Sequence, residues 1–239
     1  MSISRLLFTL WVRFLFALIF LLSLLPIAVL VFLVPQKYRY NKLFFLGSAL
    51  LYRAILYASS VPIRISGKEL IPDRPAIIIA NHTSSLDIPL TGYLCGTHAH
   101  VWLAMTWLTK FLVFRYFLPR VAVLVDMSSP QKGVRSLIQT INLIKKHAMH
   151  IIIFPEGRRY TDGKVHDFYG GFAILAKKTG FPVIPVHIRN MEKVYPPEQF
   201  LMRRCPVDVT IGKPLYMNED ESDREFEIVY ILGLFNRIK

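Results

Sequence analysis

The chain has 239 residues, enough for one sizeable hydrophobic core and an additional segment. Apolar residues make up 53% of it and its mean hydropathy is +0.40, so part of the chain should contact lipid. A balance of 29 basic to 16 acidic residues gives a net charge of +13, which predicts an anionic partner. The sequence contains no zinc-ligand spacing and no aromatic ribonucleoprotein motif, so an anionic membrane surface is favoured over nucleic acid.

The N-terminal part of the sequence contains an uncharged apolar run at residues 14–34, preceded by Arg5 and Arg13. A helix of that length spans about 30 Å, the thickness of the hydrocarbon core, so we predict a retained membrane anchor. A signal peptide is disfavoured because the run is long and no small-residue cleavage site follows it. Pro26 would bend a helix, so two short helices lying in one leaflet are the alternative.

A second apolar segment, residues 43–57, predicts either a helix at the lipid headgroup level or a core helix. We therefore divide the chain into a membrane-associated lead at 1–60 and a catalytic domain at 61–239. The two cysteines, Cys95 and Cys205, lie far apart and suggest no disulfide, which indicates a reducing compartment. The expected location is the membrane, with the catalytic domain on the cytoplasmic side.

After residue 60, strand and helix patterns alternate along the chain. The predicted strands are 63–66, 76–80, 98–103, 121–126, 151–154, 183–187 and 207–211. The predicted helices are 87–95, 105–117, 131–147, 171–179 and 222–238. This alternation predicts an α/β fold, a mostly parallel sheet flanked by helices, with an N-terminal membrane-associated helical segment.

The first candidate site follows the strand at 76–80, where His82 stands five positions before Asp87. In a continuous helix these two side chains would diverge, being about 140° apart. The hydroxyl residues 83–85 favour a break in the backbone, because such side chains prefer helix N-caps and turns. We expect His82 in the loop and Asp87 in the first helical turn, which would form a base and its orienting carboxylate.

The second candidate site, residues 154–159, follows the strand at 151–154. Ligand crevices of open α/β sheets lie beyond the carboxyl ends of their strands, so the two motifs should face one cavity. Gly157 would let the backbone approach a ligand, and Glu156 would bind a substrate hydroxyl. Arg158 and Arg159 offer planar donor groups suited to a phosphate. The alternative is a solvated basic turn with a Glu–Arg pair.

Three blocks in order, N-H-x4-D at 81–87, F-P-E-G-x-R at 154–159 and V-I-P-V at 183–186, resemble the glycerolipid acyltransferase family. Within it, the blocks resemble the 1-acyl-sn-glycerol-3-phosphate acyltransferases. The resemblance covers roughly residues 60–215. Departures from the family pattern are Arg158 in place of threonine or serine, Met127 in place of an arginine, and Tyr169 in place of a lysine.

The resemblance implies roles for individual residues. His82 would be the general base and Asp87 its partner. Pro185 would help to shape the acyl-donor site. The residues that would bind the acceptor substrate are Glu156, Gly157, Arg158, Arg159, Lys110 and Arg120.

The implied reaction moves a fatty acyl group from acyl-CoA or acyl carrier protein to the sn-2 hydroxyl of 1-acyl-sn-glycerol-3-phosphate. The product would be phosphatidic acid, and the acyl thioester is a cosubstrate, so no other cofactor is expected. No metal is expected either, because His98 and His100 lack a recognisable third ligand nearby. The alternatives are an acyltransferase for lyso-ornithine lipid or another lysophospholipid, and a non-catalytic membrane lipid-binding protein.

Overall fold

The computed structural model describes most of the chain. The described residues are 3–34, 40–110, 115, 118–119, 122–126, 128–162 and 166–217. Arg120, Met127, the predicted C-terminal helix at 222–238 and most of the second half of the predicted helix at 105–117 lie outside these ranges.

Within the described ranges, seven strands form one mixed sheet. They are β1 (Ile63–Ser66), β2 (Ile77–Ala80), β3 (His100–Met105), β4 (Ala122–Val125), β5 (His150–Ile153), β6 (Val183–Arg189) and β7 (Val207–Ile211). The strand order is β1-β7-β6-β2-β5-β3-β4, and only the β6–β7 pair is antiparallel. The predicted mostly parallel α/β sheet is thereby confirmed.

The described α-helices lie before, between and beside these strands. They are α1 (Ile3–Ala28), α2 (Lys42–Ala58), α3 (Asp87–Leu94), α4 (Pro130–His147), α5 (Gly171–Thr179) and α6 (Met191–Val194). Local signals fix several ends: Asn41 caps α2, Ser129 caps α4, and Gly180 ends α5 with a positive φ of 69°. The helix predicted at 105–117 begins one residue later, because β3 continues to Met105, and its first part, Thr106–Lys110, is a 3₁₀ helix.

Both faces of the sheet are covered, as the apolar composition of its central strands requires. All four residues of β2 are buried and alternate between the two faces. Ile78 and Ala80 pack with α3 and with residues of the N-terminal helices, including Val12 of α1 and Leu56 of α2. On the other face, residues 77 and 79 pack with α4 and α5. The sheet is therefore a rigid support for the loops that follow the carboxyl ends of its parallel strands.

Helix α1 begins eleven residues before the predicted apolar run at 14–34. Arg5 and Arg13, which precede that run in the sequence, therefore lie inside the helix. Arg5, Thr9 and Arg13 lie at intervals of four on one side of the helix, alongside residues 199–202. Arg5 donates hydrogen bonds to the carbonyls of residues 201 and 202, and Arg13 donates to those of 199 and 200. These contacts explain why two charged residues stand inside an apolar helix.

The opposite side of α1 is apolar and exposed. Its large exposed side chains include Ile3, Leu7, Leu10, Trp11, Phe14, Leu18, Leu21 and Leu25. By length and composition the segment Ile3–Pro26 is able to cross a membrane, and the helix passes through Pro26 before a π-helical turn at Val29–Leu33. Since α1 and α2 share the core with the sheet, the boundary at residue 60 stays a prediction.

Replacing Thr9 with valine should destabilise the fold. The Thr9 hydroxyl is fully buried, donates to the carbonyl of Arg5 and accepts from the amide of Met202 at 3.0 Å. Valine has nearly the same shape but leaves the Met202 amide unpaired, which costs about 1–3 kcal/mol of unfolding free energy. Denaturant unfolding in a nonionic detergent measures this loss. Thr9→Ser, which keeps the hydroxyl, is the control and should lose less; equal stability of the valine variant and the wild type would contradict the assignment.

Candidate active site

The turn after β2 begins at Asn81, whose side chain takes the place of the backbone hydrogen bonds between β2 and β6. Asn81 donates to the carbonyl of Ile188 at 2.9 Å and accepts from the amide of the same residue at 2.8 Å. The side chain thus continues the pairing of β2 with β6 for one more position. The backbone of residue 81 is therefore free to turn away from the sheet, and His82 follows in the loop.

His82 and Asp87 meet as the sequence predicts. The His82 Nδ1 atom lies 3.0 Å from Asp87 Oδ2, and the Asp87 side chain is fully buried at the first position of α3. The same carboxylate oxygen accepts the backbone amides of Thr83 and Ser84, each at 2.7 Å. The side chains of Thr83, Ser84 and Ser85 do not cap α3 as expected. The Asp87 carboxylate holds the turn instead, because it accepts hydrogen bonds from two backbone amides of the turn.

The imidazole of His82 is held from two directions. Phe154 stacks on it with ring centroids 4.2 Å apart and ring planes 17° apart. A carboxylate only accepts hydrogen bonds, so its contact with Nδ1 places the proton of a neutral ring on that nitrogen. The remaining nitrogen, Nε2, is then the one that accepts a proton, and the ring lines a cavity.

The backbone of His82 is held by the loop that follows β5. The His82 amide donates to Glu156 Oε1 at 3.1 Å, and the His82 carbonyl accepts the amide of Tyr160 at 2.9 Å. The second carboxylate oxygen, Oε2, accepts the amide of His166 at 3.4 Å. Glu156 is only 3% exposed, and the described residues that line the cavity do not include it. Its predicted contact with a substrate hydroxyl stays a prediction; in the structure, Glu156 joins the two loops.

Burial raises the pKa of Glu156 to about 7. The hydrogen bonds from the amides of His82 and His166 act in the opposite direction, because they stabilise the charged carboxylate, but burial has the larger effect. The group that fixes the backbone of His82 thus changes its charge near neutral pH.

Three predicted substrate-binding residues line the cavity: Gly157, Arg158 and Arg159. Arg159 donates to the Ser85 hydroxyl at 2.7 Å, and the Arg158 guanidinium lies over the Tyr160 ring, donating to its hydroxyl at 2.7 Å. Both side chains are exposed, so each keeps donors for a ligand.

Gly157 adopts a φ of +70°, and a Cβ atom there would lie 2.7 Å from the Tyr169 ring. A positive φ and a close neighbour together require glycine at this position.

The cavity is large and mainly apolar, with a volume of about 1850 Å³. It extends from His82, Arg158 and Arg159 to Tyr52 of α2 and to His100 at the beginning of β3. Its walls come from α1, α2, α4, α5 and from the segment after β3. The apolar lining residues include Phe44, Leu51, Leu103, Val125, Leu137 and Phe172. An imidazole and two guanidinium groups therefore stand beside a space suited to a long hydrocarbon chain.

Pro185 and Lys110 are not among the described residues that line this cavity. Pro185 is buried in the middle of β6, paired with Ile79 of β2 and packed beside Gly212. Any effect of Pro185 on substrate would have to pass through the sheet. Lys110 is exposed at the end of the 3₁₀ helix and is not among the described lining residues, and Arg120 lies outside the described residues.

Three residues that hold His82 and its turn were not assigned this role from the sequence: Asn81, Phe154 and Tyr160. Asn81 and Phe154 stand within the two recognised motifs, each at the end of a buried strand. Their position next to the charged residues was the available signal. Tyr160 carried no signal, because its contact uses only a backbone amide.

Comparisons with known proteins find similar acyltransferases. The chain is 25% identical over 198 residues to a 1-acyl-sn-glycerol-3-phosphate acyltransferase of Limnanthes douglasii, covering 82% of this chain and 69% of that protein. It is 29% identical over 182 residues to a chloroplastic 1-acyl-sn-glycerol-3-phosphate acyltransferase of Brassica napus, covering 74% and 52%.

A solved structure is also similar, that of PlsC, the 1-acyl-sn-glycerophosphate acyltransferase of Thermotoga maritima. Its TM-score is 0.77 at 26% identity, and the match covers 98% of this chain and 95% of that one. The model of the Acyltransferase family matches residues 62–189, which is more than half of the chain and includes all three sequence blocks. The chain belongs to the acyltransferase family.

Proposed function

We propose that the protein transfers a fatty acyl group from an acyl thioester to the sn-2 hydroxyl of 1-acyl-sn-glycerol-3-phosphate, giving phosphatidic acid. The observation that carries this proposal is the His82–Asp87 pair at the wall of a large apolar cavity that also exposes Arg158 and Arg159. The names of the curated relatives and of the structural neighbour support the same acceptor.

The proposed chemistry uses His82 as the general base. Its Nε2 removes the proton of the acceptor hydroxyl while the hydroxyl oxygen attacks the thioester carbonyl carbon. The C–S bond then breaks, and the departing thiolate takes the proton back from the imidazolium. Asp87 is a positioning residue, because its carboxylate fixes the tautomer and stabilises the charged ring. A thiolate leaves readily, so no covalent enzyme intermediate is needed.

The acceptor's phosphate would be held by Arg159. Its bond to the Ser85 hydroxyl fixes the guanidinium three residues from His82 along the same turn. Such positioning brings the acceptor hydroxyl close to the base, and correct placement lowers a barrier by several kcal/mol. Arg158 adds a second positive charge at the same wall of the cavity. The family that the sequence resembles usually has threonine or serine at this position.

The apolar part of the cavity would hold the acyl chain, since burying a long hydrocarbon chain needs a long apolar space. Either acyl-CoA or acyl carrier protein would serve as donor. The exposed apolar side of α1 would place the cavity beside the bilayer, where lysolipids reside, with the catalytic domain on the cytoplasmic side. Incubating the purified protein with each labelled donor and a panel of lysolipids tests both substrates; acylation of a different lysolipid alone would replace this acceptor.

Removing the base should abolish turnover. We expect His82→Ala to lose about 10³-fold or more of kcat, and Asp87→Asn to lose a large part of it, because the ring would lose its fixed tautomer. Initial rates of acyl transfer in detergent micelles measure both effects. His98→Ala, a change outside the cavity lining and before β3, is the control. A His82→Ala variant with most of its activity would exclude His82 as the base.

Replacing Arg159 with alanine should mainly weaken acceptor binding. The loss of charge-assisted hydrogen bonds to phosphate should raise KM for lysophosphatidic acid about tenfold or more. KM for 1-acylglycerol, which has no phosphate, should change little. Arg158→Ala should have a smaller effect because its guanidinium is already bonded to Tyr160. Arg135→Ala on α4 removes an exposed arginine outside the cavity and is the control; an equal rise of KM for both acceptors would exclude a phosphate contact.

The raised pKa of Glu156 predicts a specific pH dependence of stability. The folded state keeps a proton on Glu156 up to about pH 7, whereas an unfolded carboxyl loses it near 4.5. The contribution of Glu156 to folding stability must therefore fall as pH rises between these values. Glu156→Gln removes this titration, so the Tm difference, variant minus wild type, should increase across the same range. Thermal unfolding at a series of pH values measures it, and a difference that stays constant with pH would contradict the raised pKa.

A further inference from the structure

A second recess lies at the beginning of α1, separate from the catalytic cavity. It has a volume of about 500 Å³ and is lined by Ser4, Arg5, Phe8, Arg203 and Arg204. We call these five residues the arginine recess. None of them lines the catalytic cavity.

The arginine recess is strongly positive. Two of its arginines follow the segment that docks on α1, and the third belongs to α1 itself. Within the described ranges, no ion pair to a carboxylate forms at Arg5, Arg203 or Arg204. Three guanidinium groups without acidic partners around one recess favour an anion with several oxygen acceptors.

The recess is also built rather than accidental. The Arg5 guanidinium is fixed by the carbonyls of Leu201 at 3.2 Å and Met202 at 3.0 Å, so its orientation is set before any ligand arrives. Arg203 and Arg204 are exposed and follow directly on this fixed segment. A guanidinium has five N–H donors, so Arg5 retains donors beyond those used by the two carbonyls. Phe8 adds an apolar wall beside the charges.

The neighbouring surface indicates the source of the anion. The outer side of the same helical turns exposes Ile3, Leu7 and Trp11, an apolar surface suited to the hydrocarbon of a bilayer. The three arginines beside such a surface would lie at the depth of the phospholipid headgroups. A soluble phosphate would need the arginines but not the apolar surface next to them.

We propose that the arginine recess binds the anionic headgroup of a bilayer phospholipid. Arg5 and Arg13 are eight residues apart on α1, about 12 Å along its axis. Arg13 holds the residues at the cavity rim, including Gln199. A lipid bound in the recess would therefore lie beside the entrance to the catalytic cavity. The proposal does not depend on which lysolipid is acylated.

The test uses the full-length protein in a nonionic detergent. Short-chain phosphatidylglycerol is titrated below its critical micelle concentration, and an apparent Kd is taken from the rise in Tm. Short-chain phosphatidylcholine, sn-glycerol 3-phosphate and inorganic phosphate are titrated in parallel. We expect a saturable stabilisation by phosphatidylglycerol alone. Arg203→Ala with Arg204→Ala should weaken its apparent Kd at least about tenfold, because each lost charge-assisted contact is worth that order of effect.

Matched variants separate a built site from general charge. Lys177→Ala with Lys178→Ala removes the same charge from the end of α5 and should leave the apparent Kd unchanged. Arg158→Ala with Arg159→Ala should also leave it unchanged, because those residues belong to the catalytic cavity. Equal weakening by the lysine pair, or an unchanged Kd in the Arg203/Arg204 variant, would overturn the proposal. Full stabilisation by inorganic phosphate would overturn the assignment to a lipid.

Discussion

The parallel pairing of β2 with β5 is the constraint on which the rest of the site depends. It places the carboxyl ends of two neighbouring strands at one edge of the sheet, and each strand continues into a charged loop. The loops then join through the backbone of His82, whose amide binds Glu156 and whose carbonyl binds the amide of Tyr160. The side chain of His82 is consequently positioned by an adjacent aspartate, and its backbone by a loop more than seventy residues away.

The two buried carboxylates of the site are stabilised in different ways. Asp87 Oδ2 receives the imidazole and two amides at 3.0 Å or less, all from its own turn. Glu156 receives two longer bonds from separate loops, and its pKa is raised because those bonds do not compensate fully for its burial. One carboxylate therefore fixes the imidazole of His82, and the other connects the two loops.

The sequence predicted best what depends on neighbouring residues. The bounds of β1, α5 and β7 agree with the prediction, because periodicity and residues such as Gly180 act locally. The His82–Asp87 contact was predictable for the same reason, since five residues and one turn determine it.

Features that depend on distant contacts were not predictable in this way. The position of Glu156 requires two loops to meet, and the place of Arg13 inside α1 depends on carbonyls 186 and 187 residues away. Composition identified α1 as apolar but could not reveal that one of its sides packs on the protein. The roles of Pro185 and Lys110 came from the family resemblance alone. Neither residue is among the described residues that line the cavity.

The docking of α1 on residues 199–202 also has a consequence for how the molecule forms. These contacts join residues separated by 186 to 197 positions, among the longest sequence separations in the described structure. During synthesis the N-terminal helix emerges first, and its partner segment emerges only after nearly all of the sheet. Closing so long a loop is entropically unfavourable until the sheet has assembled. This wall of the cavity is therefore completed late, and a chain released early would carry His82 and Asp87 beside an unfinished cavity.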